Sequence, residues 1–499
     1  MLHRNRNPIK TGVFASVTAL AGMLGTVSGS LAQGTTPVAK PSKETKTKEL
    51  NVTPCAAPMP ALRYRLLPLE SERTPGDAAP IYLRLEYALG EEGRKQISQK
   101  PTPWLDLPFD QFPVVEARKF VDMWGNRLQQ LGFGARRQAC NWNYTLPEQR
   151  ERAIEILLPD AQEMRTWVRL LALKARVEIA EHKDDDAIHT LETGLAFSRH
   201  LADAPFLMNA LIGIASAELM LDRVEELIVQ PDAPNLYWAL TALPRPLIDV
   251  RRAMETEQKM GDWILPEITE LDRSRTAAEW ASLMVRLHAR MRDLEKVFAT
   301  YVPAANPSGP KIPDLDKFKA ELLPEARNYT QERRISIEGM PDDQALILFI
   351  AGRYRDLRDE QFKPAYLPFP DALPLHAGSN ERIKAIQGGP LGVLASFPSR
   401  MIREGHMAET RLDRRVAALR VVEALRMELA AKPGPLPEAL DRVTIAPIPP
   451  DPVTGKAFEY HREAEAAILV GSTSPFSALG SFSSFTTLVG LSYRITLRK

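Results

Sequence analysis

The segment from Met164 to Ile228 constrains the fold more than any other stretch, because it holds three consecutive apolar helical patterns with short joints between them. Its third pattern, from Phe206 to Leu221, is apolar on nearly every face, as in a helix enclosed by neighbours. It is too short to be a membrane span, and Asn209, Ser216 and Glu218 interrupt it. A helix buried on all sides needs other helices around it, so the flanking chain is expected to supply them. The first helix is predicted over 161–182, with Asp160 as its N-cap and Glu163 completing a capping box. The second is predicted over 185–201, capped by Asp185 or Asp186.

The joint between those two helices, Ala180 to Ile188, resembles the turn of a tetratricopeptide repeat. With Ala187 at the small-residue position of the second repeat helix, Leu171, Ala175, Leu191 and Gly194 fall where that repeat has apolar or small residues. One unit covers residues 168–201. Glu178 and Arg199 depart from the consensus, and no second copy with this spacing follows. The resemblance implies packed helical hairpins and brings no catalytic residue with it.

Helical periodicity continues on both sides. Val114 to Leu131 places Ala117, Phe120, Val121, Trp124, Leu128 and Leu131 on one face, with Gly132-Phe133-Gly134 ending the helix. Leu236 to Leu243 reads as a short helix, followed by a longer one to about Met260. From Glu279 to Tyr301 a seam of Trp280, Met284, Leu287, Met291, Leu294, Phe298 and Tyr301 alternates spacings of four and three. Leu315 to Leu323 is a short helix ended by Pro324, and another opens at Met340 with Leu346, Ile350, Tyr354 and Leu357 facing inward. The last long helix is predicted over 408–431, with Leu412, Val416, Leu419, Val422 and Leu429 buried. The 41 prolines sit mostly between these segments, where they end helices and stiffen joints. Pro101 to Phe112 reads as an extended loop, Leu62 to Leu67 as a short extended segment, and Ile81 to Leu89 as either helix or strand.

Beyond Lys432-Pro-Gly-Pro435 the pattern changes to the period of strands. Leu491 to Arg498 alternates apolar and polar residues, and Ala466 to Val470 is a second candidate, with Ser472 to Thr487 a loop between them. The expected fold is therefore mainly α, with packed helical hairpins in a solenoid-like or irregular array and a small C-terminal antiparallel β module. The 499 residues divide into a signal peptide (1–32), a disordered linker (33–60), an α-helical domain (61–435) and the β-containing module (436–499).

The signal reading rests on Arg4, Arg6 and Lys10, the apolar stretch from Val13 to Val27, and the small-residue pattern Ser30-Leu31-Ala32. Cleavage after Ala32 would expose Gln33; the alternative is an uncleaved anchor. Residues 33–50 lack apolar periodicity, as a disordered tether does. Residues 1–50 hold seven Lys and Arg against two Glu, which leaves 57 basic and 61 acidic residues of the chain's 64 and 63. That balance gives no basic surplus for nucleic acid, and no polybasic amphipathic stretch or later membrane span is present. The two cysteines, Cys55 and Cys140, are either a disulfide, adding about 4–5 kcal/mol in the chain-entropy model, or two free thiols.

Two further resemblances concern the chain as a whole. A long helix, Leu436-Pro-Glu-Ala-Leu440, an Asp-Pro turn and a hairpin follow one another over residues 408–470, an order similar to the globular core of type II secretion pseudopilins. Hundreds of residues separate it from the N-terminal apolar helix that such subunits use to polymerise, so a pilus subunit is not implied. The signal segment, Cys140-Asn-Trp142, Asn235 to Leu240 and Asp451 to Lys456 together resemble a large group of exported planctomycete proteins. That resemblance implies an envelope or secreted location and no mechanism.

Motifs for acyl transfer, phosphate binding, zinc hydrolysis or thiol redox chemistry are absent from the sequence. One cluster, Glu181, His182, Asp184, Asp185, Asp186 and His189, has residues able to hold a divalent cation, but its place between two helices fits a solvated turn. Trp104, Trp124 and Trp142 suit either a core or a sugar-stacking surface. Carboxylate pairs such as Glu267 with Glu270 and Glu423 with Glu428 stand in no context that marks them as catalytic. The expected function is binding: an exported helical interaction protein, without cofactor or metal, whose partner is another envelope protein. The alternatives are a hydrolase or lyase on envelope polysaccharide using two facing carboxylates in an aromatic-lined cleft, and a structural envelope component.

Overall fold

The computed structural model describes residues 47–99, 101–144, 159–269, 271–301, 312–333, 339–387, 389–395, 399–471 and 490–498. The predicted signal peptide, the first half of the predicted linker and the Ser472–Thr487 loop lie outside them. The described residues are mainly helical with a small C-terminal sheet, the fold class expected from the sequence.

The chain enters as β1 (Lys48–Val52) and, after a stretch without regular structure, reaches β2 (Thr74–Asp77) and α1 (Ala79–Gln99). The segment left open between helix and strand is thus a helix, bent where Gly90 takes a φ of 66°. Next come α2 (Pro101–Asp106), α3 (Val114–Asp122), α4 (Gly125–Ala135) and β3 (Arg137–Ala139), which pairs in parallel with β2. Two expectations change here. The Pro101–Phe112 loop contains a helix because Pro101 and Pro103 occupy its first turn, where a missing N–H needs no partner. The single helix predicted over 114–131 is two, broken at Trp124, whose φ of −104° and ψ of 3° leave the helical region. The break lets the Trp124 indole lie against α1 at Gly93.

The three central helices are α5 (Pro159–Ala180), α6 (Asp184–Ala202) and α7 (Leu207–Ile228). Lys183, not Asp185 or Asp186, is the N-cap of α6, and Asp184, Asp185 and Asp186 fill its first turn, where negative charge complements the helix dipole. The α6–α7 crossing requires Gly213: a Cβ there would stand 2.6 Å from the Ser198 carbonyl oxygen.

After α8 (Tyr237–Thr241) and α9 (Arg251–Ile264) the chain builds α10 (Ala277–Tyr301), α11 (Leu315–Glu332), α12 (Asp342–Phe362), α13 (Phe369–Gln387) and α14 (Gly392–Ala395), then returns as α15 (Ser399–Ala431). Helix α11 runs through Pro324 instead of ending there. Trp280, Met284, Leu287, Met291 and Leu294 are buried as their spacing predicts, and they belong to a second core shared with α11, α12 and α14, separate from the large first core around α5, α6, α7 and α15. The side chains of Phe298 and Tyr301 lie outside the described residues. In this second core α11 and α12 touch at Gly352, where a Cβ would sit 1.8 Å from the Tyr329 hydroxyl oxygen. Gly352→Ala is expected to cost about 1–3 kcal/mol in urea unfolding, because Tyr329 must leave its site. An unchanged midpoint would mean the ring moves aside freely.

The chain ends in β4 (Glu459–Arg462), β5 (Ala466–Gly471) and β6 (Leu491–Leu497), and the sheet order is β1-β6-β5-β4. β4, β5 and β6 pair antiparallel, and β1 adds to β6 in parallel. The N-terminal strand corrects the predicted boundaries: residues 48–52, placed in the disordered linker, form the sheet's edge, so the C-terminal module is not built from 436–499 alone. Leu50 and Val52 bury on one face while Lys48, Glu49 and Asn51 stay in water. Five residues with two apolar positions are too short an alternation to stand out in a polar tract.

Candidate functional site

The charged turn between α5 and α6 is dispersed into ion pairs. Glu181 accepts from Arg118 and lies 2.9 Å from Lys183, and Asp185 meets Arg63 at 2.8 Å. The Arg118 guanidinium holds the Glu181 carboxyl down to about 2. His189 pairs instead with Glu192 at 3.1 Å. The three tryptophans serve the interior. Trp104 packs edge-on against Phe120 at 5.8 Å, Trp124 is buried beside Phe120, and Trp142 stacks on Tyr82 and donates to the His200 carbonyl at 2.9 Å.

Cys55 and Cys140 both stand as free thiols in the structure. Cys55 sits by the C-terminal part of α15, with its backbone N–H bonded to the Arg426 carbonyl at 3.0 Å. Cys140 follows β3, beside Tyr82, and burial pushes its thiol well up.

The carboxylate pairs singled out from the sequence are also engaged. Glu423 faces Arg426 across one turn of α15 at 3.0 Å, both fully buried. Glu428 accepts the backbone N–H groups of Thr444 and Ile445 at 3.0 Å each. Glu267 takes both its hydrogen bonds from Arg290 at 2.8 Å, and Glu270 lies outside the described residues.

Three carboxyls with raised pKa values lie where α15 meets α9 and the residues leading into it. Burial lifts the Glu409 carboxyl to about 8, helped by the nearby Asp249 and Asp413, and lifts Asp413 to about 6. Glu257, on α9, rises to about 7 for the same reason. Each of the three carboxyls nonetheless has a structural task. Asp413 accepts the Leu247 N–H at 2.9 Å, Glu409 accepts that of Val250, and Glu257 accepts that of Leu207, the first residue of α7, at 3.2 Å. They tie backbone donors at and before helix starts, groups that have no partner within their own helix. Sequence pattern missed this cluster because Glu409 and Asp413, four residues apart on α15, look like an exposed edge of an amphipathic helix. Deeper along the same helix, His406 contacts His376 of α13 at 3.2 Å; burial lowers them to about 4 and about 3, with Arg403 and His406 adding to the effect on His376.

Apolar surface in water gathers elsewhere. α1 and α4 lie side by side: a Cβ at Gly134 would meet the Tyr82 ring at 2.5 Å, and Arg127 reaches the Ala88 carbonyl at 3.5 Å. On these helices Tyr87 is 90% exposed and Phe133 58%, with Leu83 one turn before Tyr87. The adjoining α3 adds Val115, and the α3–α4 break adds Met123 at 63%. Of the exposed large apolar residues among those described, most lie between Met59 and Phe133. The sequence concealed this face, since Leu83 and Tyr87 fell in a segment of unassigned structure and Phe133 in an apparent helix stop. No helix among the described residues is long and apolar enough to cross a membrane. No family model, curated protein or solved structure matches the chain.

Proposed function

We propose that the protein is an exported helical binding protein that engages another envelope protein through its N-terminal layer. The observation that carries this reading is the set of large apolar side chains held in water on neighbouring helices, Leu83 and Tyr87 of α1 with Val115, Met123 and Phe133. Surfaces of this kind are costly to expose and mark sites of association, and Tyr and Phe are the residues that anchor them. The raised carboxyls of Glu409, Asp413 and Glu257 support the same conclusion from the other side, because each of these three accepts a backbone N–H. Export is supported by the basic start, the apolar stretch and the small-residue pattern at Ser30-Leu31-Ala32.

The test is native co-purification of a C-terminally tagged chain from its own envelope fraction, alongside the Tyr87→Ser/Phe133→Ser variant. A protein is expected to elute near stoichiometry with the wild type and to fall on the order of tenfold with the variant, as loss of interface anchors requires. Elution of the wild type alone, or equal recovery with the variant, overturns the reading.

A further inference from the structure

Helix α5 carries a stripe of three arginines, Arg165, Arg169 and Arg176, whose spacings of four and seven put them on one face. Arg176 shows how this face satisfies a buried guanidinium. It donates to the carbonyls of Trp104 at 2.6 Å, Leu105 at 2.9 Å and Leu107 at 2.6 Å, lies 3.4 Å from Glu226, and packs over the rings of Phe109 and Phe112. Arg165 and Arg169 have none of this. Both are half-buried, and neither makes a hydrogen bond or ion pair with any side chain or carbonyl among the described residues. Asp106, at the end of α2, acts on Arg169 without forming an ion pair with it, and Arg169 acts on Arg165 as a like charge.

Two cations one helical turn apart repel each other, and withdrawing them partly from water without an acceptor adds to that cost. Burial lowers both guanidiniums, the charge of Arg169 lowers Arg165 further, and Asp106 offsets part of the effect at Arg169. A folded chain has cheaper residues for a half-buried helix face, so the arrangement makes sense when an acceptor arrives from outside. Two planar forks, each presenting paired N–H donors, fit an oxyanion with several equivalent oxygens. A carboxylate would neutralise one of them; a divalent tetrahedral anion neutralises both.

We infer that Arg165 and Arg169 form a binding site for a phosphate-type oxyanion, either the free ion or a phosphate monoester on a larger molecule. The site is distinct from the exposed apolar face of α1, α3 and α4, so its test and the co-purification above fail independently.

The experiment is thermal unfolding of the full chain with inorganic phosphate or glucose 6-phosphate, at constant ionic strength set with sodium chloride, for the wild type and for Arg165→Gln/Arg169→Gln. Wild-type melting is expected to rise by several degrees with added phosphate, and the variant's response to require on the order of tenfold more anion. Without phosphate the variant is expected to melt no lower than the wild type, since it has lost a repulsion and no hydrogen bond or ion pair, and glutamine keeps part of the aliphatic stem. A stronger effect of glucose 6-phosphate identifies a monoester, and an equal effect identifies the ion. Equal stabilisation of wild type and variant, no stabilisation by either compound, or a variant that is less stable without phosphate overturns the inference.

Discussion

Asp451→Ala is expected to destabilise the protein by about 3–5 kcal/mol, the range for stripping one partner from a buried ion pair. Arg414 of α15 and Asp451 are among the most enclosed charges in the molecule, at 1% and 3% side-chain exposure. They meet in two parallel hydrogen bonds, Nε to Oδ1 at 2.8 Å and Nη2 to Oδ2 at 2.7 Å. Asp451 also organises the turn that follows it: its Oδ1 accepts the Val453 N–H at 2.9 Å, its carbonyl accepts that of Gly455 at 2.8 Å, and its own N–H donates to the Lys456 carbonyl at 2.7 Å. On the other side the guanidinium passes beneath β5, where a Cβ at Gly471 would lie 2.8 Å from Nε. Alanine would leave the arginine charged beneath the sheet, without its carboxylate and without water to replace it. Urea unfolding measures the loss. The double substitution Arg414→Met/Asp451→Leu tells charge from shape, because removing both partners leaves no charge stranded and should recover most of the stability. A single variant within about 1 kcal/mol of wild type would show that water reaches the guanidinium.

This pair also shows where the sequence was informative. Long periodic runs declared themselves: the enclosed α7, the buried positions of α12, and the Trp280–Leu294 seam of α10 all have the burial their spacing predicts. The same spacing could not say that the α10 seam belongs to a second core, because periodicity identifies a buried face and not its partner. β1 escaped notice for a related reason, since its two apolar residues acquire meaning only against β6, more than four hundred residues away in sequence. The candidate sites were less legible still. Arg165 and Arg169 read as one more charged pair on a helix until the carbonyls that satisfy Arg176 are in view. Glu409 and Asp413 read as solvated until the residues leading into α9 cover them. In each case the deciding quantity, which groups lack a partner and which are withdrawn from water, belongs to the packing of distant segments.

Glu409→Gln is expected to flatten the loss of stability between about pH 6 and pH 8 that the wild type shows as buried carboxyls ionise. The carboxyls of Glu409, Glu257 and Asp413 are raised in the folded chain, to about 8, about 7 and about 6. The stability they contribute is fully present below the unfolded carboxyl range and is lost as the pH rises through those folded values. His200, His376 and His406 act in the opposite sense. Burial lowers them to about 4, about 3 and about 4, so their contribution is present above the ordinary histidine value and lost as the pH falls through the folded ones. Between about pH 4.5 and 6 the two sets oppose each other, because the folded chain holds extra protons on its carboxyls while the unfolded chain holds them on its histidines. Above about pH 6.5 the histidines fall silent and the carboxyl slope remains, at about 1.4 kcal/mol per pH unit for each proton released. With allowance for its partial exposure, Glu409 accounts for about 1–2 kcal/mol of that fall. Glutamine retains a carbonyl oxygen for the Val250 N–H and has no proton to lose, so the substitution separates ionisation from hydrogen bonding. Urea midpoints for wild type and variant should therefore converge near about pH 5 and part by about pH 8, with the variant the more stable. Parallel curves would mean that Glu409 is already ionised at neutral pH in the folded chain, and would remove burial as the force that shapes this cluster.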